Sequence, residues 1–166
     1  MAGENCMSKC AKGFSLIELL IVVAIILVIA AIAIPNFMRS RIAANQASAV
    51  ESLRTLNTAE VTYSVTYATG YSTSLILLGP PAAGAAATST AAGLIDSVLD
   101  QGAKSGYTFV YSTGAPDTSG RINGYSFNAS PASSSNGTNY YFTDQSGVIR
   151  VNATTDASST DSPLAA

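Results

Sequence analysis

An unbroken apolar run near the N-terminus constrains this chain more than any other feature. Residues 14–34 form a run of 21, and only Ser15 and Glu18 among them are polar. As an α-helix rising ~1.5 Å per residue, the run extends ~30 Å, which matches the hydrocarbon thickness of a bilayer. Because it is apolar all round rather than along one stripe, it must be covered on every side. Lipid would cover it, and so would a bundle of identical helices.

Glu18 is the exception in this run, because a carboxylate at the centre of an apolar span costs about 3 kcal/mol unless it is neutralised or paired. No Lys or Arg occurs between Lys12 and Arg39. A plain membrane anchor would tolerate one acid near its end, where the cost is smaller. Alternatively, cleavage after Gly13 would create an α-amino group on Phe14, which is charged near neutral pH. In a stack of such helices, Glu18 of one chain would meet the amine of the next.

The stretch Lys12-Gly13-Phe14-Ser15-Leu16-Ile17-Glu18, with the apolar run after it, resembles the class III signal of type IV pilins and of the related type II secretion pseudopilins. That family pattern is a short basic leader, a Gly, Phe-(Thr/Ser)-Leu-(Ile/Val)-Glu and a long apolar segment. Pro35 also fits the pattern. The resemblance implies that a prepilin peptidase cleaves between Gly13 and Phe14 and methylates the new N-terminus of Phe14. It also implies that Glu18 acts in subunit registration and assembly.

Residues 1–13 are therefore a predicted leader peptide, whose Lys9 and Lys12 favour keeping this end in the cytoplasm. A conventional secretory signal competes, because Ala31-Ile32-Ala33 fits an A-x-A cleavage site. The length of the apolar run and the presence of Glu18 inside it weigh against that alternative.

The cysteines of the chain, Cys6 and Cys10, both lie in the leader, and His is absent. A chain beginning at Phe14 would contain neither residue type, so it could form no disulfide and no thiolate or imidazole metal site. Many type IV pilins close their C-terminal region with a disulfide, so a different contact must hold this one. A lipoprotein interpretation of Cys10 fails because the small, uncharged residues expected before a lipid-modified Cys are missing.

After Pro35, which should kink or locally break the helix, the helical pattern resumes. At 100° per residue, six apolar side chains fall within one stripe that predicts a helix as far as about Thr66. Glu60 interrupts this stripe, and Ser52 is among the residues predicted on the opposite, polar side. The stripe consists of Ile42, Ala49, Leu53, Leu56, Tyr63 and Tyr67. The second half of the helix is thus amphipathic and should pack on a globular domain.

The rest of the chain predicts an antiparallel sheet. Residues 79–87 form a low-complexity loop, and residues 91–101 predict a short helix that ends at Gly102. Strands are predicted at 107–111, 122–129, 139–143 and 148–152, with turns at 114–120 and 144–147. Residues 153–166 are expected to be loose. The predicted fold is α+β and pilin-like: a leader (1–13), a transmembrane or filament-core helix (14–35) and a head domain (36–166) in which the helix packs on the sheet.

Catalytic signals are nearly absent. Without His or Cys after the leader, the common Ser-His and Cys-His nucleophile pairs cannot be built, and no phosphate-binding loop or zinc spacing occurs. Asp96 and Asp100 are four residues apart, a spacing that would place both on one face of a helix. A solvated surface beside Lys104 is favoured there over a catalytic pair of carboxylates. The net charge is −2, and removing the leader changes it to −3, which argues against broad nucleic-acid binding.

Asp117 and Asp144 are weak calcium candidates, because each begins a turn rich in oxygen-bearing side chains. Ca²⁺ prefers 6–8 oxygen ligands with several carboxylates, and each turn offers one. Ordinary turns are therefore favoured, and no metal or other cofactor is expected. Three Asn-x-(Ser/Thr) sequences, starting at Asn128, Asn136 and Asn152, are expected by chance in so Ser/Thr/Asn-rich a chain.

These features predict a structural subunit and not an enzyme. The precursor would cross the bacterial inner membrane once, lose its leader to prepilin peptidase, and polymerise with copies of itself into a type IV pilus on the cell surface, using the pilus assembly machinery. Motility, adhesion or DNA uptake would come from the assembled fibre. Within the family the alternative is a type II secretion pseudopilin, which the missing cysteines favour. Outside it, the alternative is a bitopic, membrane-anchored binding protein or enzyme that keeps its anchor.

Overall fold

The computed structural model describes residues 13–165. These residues form a long α-helix and a five-stranded antiparallel sheet, which confirms the α+β prediction. The elements are α1 (Leu16–Tyr67), β1 (Ala103–Lys104), β2 (Tyr107–Thr113), β3 (Tyr125–Pro131), β4 (Tyr140–Asp144) and β5 (Arg150–Asn152). The chain divides into two compact units, Met1–Met38 and Arg39–Ala166. Except for Gly13, the predicted leader lies outside the described residues, and so do Cys6, Cys10, Lys9 and Lys12.

The bounds of α1 confirm the predicted long helix. Pro35 lies inside α1, so the predicted local break does not occur. A proline removes a single N–H donor from the helix, and here the helical sequence continues on both sides of it. The helix ends where Ala68 and Gly70 adopt positive φ angles of 55° and 85°. Left-handed residues of this kind commonly terminate helices.

In the second unit, the predicted stripe of α1 forms the core with the sheet. Its members Ala49, Leu53, Leu56 and Tyr63 are buried, whereas Ile42 and Tyr67 are partly exposed. The placement of Ser52 on the polar side is wrong, because this side chain is buried. Ser52 lies only about 40° around the helix from Leu56. It therefore borders the stripe, and its small hydroxyl side chain fits against the core.

The strands follow one another in the sheet in chain order, each antiparallel to its neighbour. All four predicted strands are present, with bounds that differ by a few residues. Ile122 is the main difference, because it lies before β3 and forms bridges to Gly70 and Pro116 instead. Strand β1 was not predicted, since two residues carry no periodic signal. Alternate side chains face the core, as the strand period requires: Tyr107 and Phe109 on β2, Tyr125, Phe127 and Ala129 on β3, and Tyr141 and Thr143 on β4.

The predicted helix at residues 91–101 is wrong. A 3₁₀ helix, Leu99–Gln101, is the only helical part, although Gly102 ends it in the left-handed conformation (φ 72°), as expected of a stop. The preceding residues donate backbone hydrogen bonds to an unpredicted 3₁₀ helix, Leu75–Leu78: Ala92 N–H to Leu77 O at 2.8 Å and Leu94 N–H to Leu78 O at 2.9 Å. These long-range bonds satisfy the donors that a local helix would have used.

The prediction of a loose C-terminal segment is also wrong. Residues 153–165 fold back onto the sheet, where Ala157 is buried and Leu164 packs against the core. Leu164 N–H donates to Ile149 O at 2.8 Å, next to β5. The Ser, Thr and Asp residues that suggested disorder instead supply the hydrogen bonds that hold the segment.

Candidate functional site

The predicted processing and assembly residues meet where α1 begins. Ser15 immediately precedes the helix, and its backbone N–H donates to Glu18 Oε2 at 3.0 Å. Leu19 N–H in turn donates to Ser15 O at 3.3 Å. In a capping box, the acid at the third helical position accepts from the N–H of the capping residue in this way. Glu18 therefore turns back toward the peptide bond that links Phe14 to Ser15.

Gly13 and Phe14 lie before the helix, in an exposed stretch without regular structure. Phe14 is 82% exposed, and a Cβ added to Gly13 would have no atom within 4 Å. The bond between them is therefore open to another molecule. Cleavage there would place a new amine one residue before the N–H that already contacts Glu18. No long movement of the Glu18 side chain would be needed to approach that amine.

The apolar part of α1 has no cover within its own unit. Among residues 13–165, α1 alone is long and apolar enough to cross a membrane, and none of its apolar stretch is buried. Large side chains from Leu16 to Ile34 are exposed on all faces of the helix. This surface requires lipid or other helices around it, as the sequence predicted.

Pro35 does not share the site at the start of the helix. It lies 17 residues after Glu18 within α1, a separation of ~26 Å along a helix. The structure therefore brings Gly13, Phe14 and Glu18 together and leaves Pro35 at the other end of the apolar run. Ser15 is the residue that the sequence analysis missed. The Ser-x-x-Glu spacing before an apolar run was the available signal for its capping role.

Asp117 and Asp144, the weak calcium candidates, occupy separate turns. Asp117 Oδ1 accepts from Ser119 Oγ at 2.6 Å and from the backbone N–H groups of Ser119 and Arg121 at 2.8 and 3.0 Å. These bonds, that of the Ser119 hydroxyl first, hold the pKa of Asp117 below its usual range. Asp144 Oδ1 accepts from Ser146 N–H at 2.9 Å. Within residues 13–165, no group of three or more His, Cys, Asp or Glu could hold a metal ion.

Asp96 and Asp100 do not form a carboxylate pair on a helix, because that helix is absent. Asp96 Oδ2 lies 2.6 Å from Lys104 Nζ, which confirms the expected neighbourhood of Lys104. The hydrogen bond from Lys104, followed by that from Leu99 N–H, lowers the pKa of Asp96. Asp100 Oδ1 accepts instead from Gln101 Nε2 at 2.8 Å. The arrangement is a surface turn stabilised by an ion pair.

Comparison with known proteins gives a family match in this N-terminal region and partial matches to pilus proteins. A family model described as the prokaryotic N-terminal methylation motif matches residues 8–34. The chain is 50% identical over 52 residues to the type IV major pilin protein PilA of Myxococcus xanthus, covering 31% of this chain and 24% of that protein. It is 63% identical over 35 residues to the type IV wide pilus major component PilA4 of Thermus thermophilus, covering 21% of this chain and 27% of that protein. No solved structure matches the chain significantly.

The similarity spans about a quarter of the length of each of these relatives. The matched motif contains Gly13, Phe14 and Glu18, the residues that the start of α1 brings together. Its apolar part is the exposed first portion of α1. By this N-terminal segment, the chain carries the prokaryotic N-terminal methylation motif and is similar to type IV major pilins.

Proposed function

We propose that the chain is a structural subunit that is cleaved after Gly13 and polymerises through residues 14–34 into a type IV pilus filament. One observation carries this proposal: the segment that matches the methylation motif continues into an apolar helix whose side chains are exposed on every face. The named relatives are major pilus components, which supports the same function.

The exposed apolar helix supplies the driving force for assembly. Covering one Leu or Ile side chain is worth ~1.5–3 kcal/mol relative to leaving it in water. Before assembly, the lipid of the bacterial inner membrane covers this helix in a single-pass precursor. In the filament, the helices of other copies cover it, and the Arg39–Ala166 unit provides the outer surface. The partners are thus copies of the chain itself, the prepilin peptidase and the pilus assembly machinery, and the final location is the cell surface.

Each site residue has a separate role in this scheme. Gly13 is the leader residue that the peptidase requires, and Phe14 receives the methyl group on its new amine. Glu18 of one subunit neutralises the amine of its neighbour and sets the axial register, while Pro35 shapes the end of the filament-core helix. No step calls for catalysis or a cofactor, so the subunit is not an enzyme.

The decisive experiment compares Glu18→Ala and Glu18→Gln with the native subunit. Insertion and leader cleavage should remain, because the apolar run is unchanged or more apolar. Assembly should fail in both variants, since an ammonium in an apolar core costs several kcal/mol without a counter-charge, and Gln cannot neutralise it. The measurement is the yield of sheared filaments relative to mature subunit in membranes.

Glu51→Ala serves as the matched control, because Glu51 is an acid exposed on the later part of α1. Its filament yield should equal that of the native chain. Normal filaments from both Glu18 variants, with normal processing, would refute the pairing mechanism and leave Glu18 as an incidental acid.

A type II secretion pseudopilin is the second candidate, and the absence of Cys from residues 14–166 favours it. Deletion of the gene separates the two functions. Loss of surface filaments supports the pilus, and a secretion defect without loss of filaments supports the pseudopilus. Mass spectrometry of the mature N-terminus tests the anchored enzyme or binding protein, which would keep its leader. A start after Ala33 would indicate an ordinary secretory signal.

A further inference from the structure

The last strand of the sheet is covered by the chain itself. β5 is an edge strand, and such an edge presents unpaired N–H and C=O groups to other chains. Here Val151 N–H donates to Ser162 O at 3.1 Å and Leu164 N–H donates to Ile149 O at 2.8 Å. Arg150 and Pro163 face each other between these two bonds in an antiparallel bridge.

Pro163 limits the pairing of a further strand with the outer edge of this covering segment. In an antiparallel pair, the residue between two such bonds directs its own N–H and C=O away from the partner strand. Proline has no N–H to present there, and Pro163 is exposed. A further strand therefore finds no donor at this position, and the sheet ends in a blunted edge.

Asp161 holds the covering segment on β5 through several hydrogen bonds, and we call this set of bonds the clip. Its Oδ2 accepts from Ser158 N–H at 2.7 Å and Ser158 Oγ at 3.0 Å, and its Oδ1 accepts from Asn152 Nδ2 at 3.0 Å. Its backbone O accepts from Arg150 Nη1 at 2.8 Å. The Ser158 N–H, followed by the Ser158 hydroxyl, lowers the pKa of Asp161, so the carboxylate is charged at neutral pH. Asp161 thus closes the turn from Ser158 with its side chain. It also binds two residues of β5, Asn152 through its side chain and Arg150 through its backbone.

Other contacts of the segment are few and mainly polar. Asn128 Nδ2 donates to Ala157 O at 2.7 Å, and Ser130 Oγ donates to Asp156 Oδ1 at 2.6 Å. Ala157 is 3% exposed, and Leu164 packs against the core only in part. A hydrogen bond contributes about 1 kcal/mol net, and two small apolar contacts add little. The segment is therefore held mainly by hydrogen bonds, whereas β2, β3 and β4 each place buried side chains in the core.

We propose that residues 156–164 are a detachable cover on β5, clipped by Asp161, and that its release turns β5 into a surface that accepts a strand from a second copy of this chain. A second copy fits because it carries the same Ser162-Pro163-Leu164 strand, which can make the same two backbone bonds to the open β5. The proposal concerns the Arg39–Ala166 unit and stands independently of pilus formation.

The test uses the full chain in detergent and compares Asp161→Ala with Asp117→Ala. Both changes remove one charge from an aspartate that accepts several hydrogen bonds in a turn, but Asp117 lies between β2 and β3. Hydrogen exchange is followed at the Val151 and Leu164 amides. We expect at least tenfold faster exchange in Asp161→Ala than in the native chain or in Asp117→Ala. The amides between β2 and β3 should stay protected in the Asp161 variant.

Sedimentation at rising protein concentration measures strand acceptance. Asp161→Ala should form larger assemblies than Asp117→Ala, and this comparison cancels any association through α1. Equal exchange rates at Val151 and Leu164 in the two variants would show that Asp161 does not hold the covering segment on β5. Faster exchange in Asp161→Ala, with assemblies of the same size as those of Asp117→Ala, would show that the uncovered β5 does not accept a strand from a second copy. If Asp161→Ala also loses protection between β2 and β3, Leu164→Ser, which keeps Asp161, replaces it and must meet the same expectations.

Discussion

Glu60 is an acid buried in the core, with 0% of its surface exposed. Ser72 donates to it twice, from its N–H to Oε2 at 2.9 Å and from Oγ to Oε1 at 2.7 Å. The groups around it on other elements are the hydroxyls of Tyr111 and Tyr125, and within residues 13–165 no Lys or Arg pairs with it. Burial raises the pKa of Glu60, and the Ser72 N–H opposes that rise only in part.

This environment predicts that the Arg39–Ala166 unit loses stability as the pH rises. Because the pKa of Glu60 is higher in the folded than in the unfolded chain, its contribution is fully present below the unfolded value, near 4.5. The contribution declines as the pH passes upward through the folded pKa. A tenfold difference in proton affinity corresponds to about 1.4 kcal/mol. Glu60→Gln should remove this dependence, since Gln can accept from Ser72 N–H and donate to Ser72 Oγ.

Thermal melts between pH 4 and pH 8 check this prediction, with Glu51→Gln as the exposed control on the same helix. The native chain and the control should lose stability relative to Glu60→Gln as the pH increases. Parallel curves for all three proteins would show that Glu60 does not control the pH dependence.

Gly13 gives a second prediction at the scale of one residue. A peptidase must hold the chain extended at the cut, and a β-branched side chain crowds a position that otherwise carries none. Gly13→Val should therefore block leader removal. Gly3→Val, which makes the same change away from the cut, should be processed normally on an immunoblot. Normal processing of Gly13→Val would contradict the proposed cleavage site.

The connection after α1 depends on a close backbone approach. Tyr71 N–H donates to Ile122 O at 2.8 Å, and Gly70 bridges Ile122. A Cβ on Gly70 would lie 2.3 Å from Ile122 O. The end of α1 is thus fixed to the residue before β3 by an approach that only glycine allows. Ser72, which follows directly, is the residue that binds Glu60.

Gly70→Ala and Gly84→Ala separate this approach from backbone strain alone. Both glycines have φ above 80°, but a Cβ at Gly84 would meet nothing within 4 Å. Gly84→Ala should cost about 1 kcal/mol for the left-handed backbone. Gly70→Ala should cost about 1–3 kcal/mol more, as overpacked sites do. Denaturant unfolding measures both, and equal losses would show that the contact with Ile122 relaxes freely.

At the scale of the whole molecule, the Arg39–Ala166 unit contains the sheet, the amphipathic part of α1 and the core between them. The exposed apolar run belongs to the other unit. No cysteine occurs in residues 14–166. Hydrogen bonds and apolar packing therefore hold the second unit, and the contacts of Asp161 are among those hydrogen bonds.

A fragment of residues 39–166 should consequently fold as a monomer without detergent. It keeps the core but loses the surface that requires lipid or other helices. Its melting temperature should be the same with and without reducing agent, which calorimetry can measure beside a light-scattering mass. A requirement for detergent, or a lower melting temperature in reductant, would contradict this division of the molecule.

The sequence alone predicted the N-terminal motif, the long helix and four of the five strands. Gly13, Phe14 and Glu18 are adjacent in the chain, and the periodicities of α1 and of the strands are local patterns that need no knowledge of distant residues. The tertiary structure decided the remainder. Residues 92–95 bind the Leu75–Leu78 turn instead of forming a helix. Residues 156–164 are ordered by β3 and β5, and Glu60 is accepted in the core because Ser72 reaches it. Each of these depends on hydrogen-bond partners far along the chain, which a local pattern cannot identify.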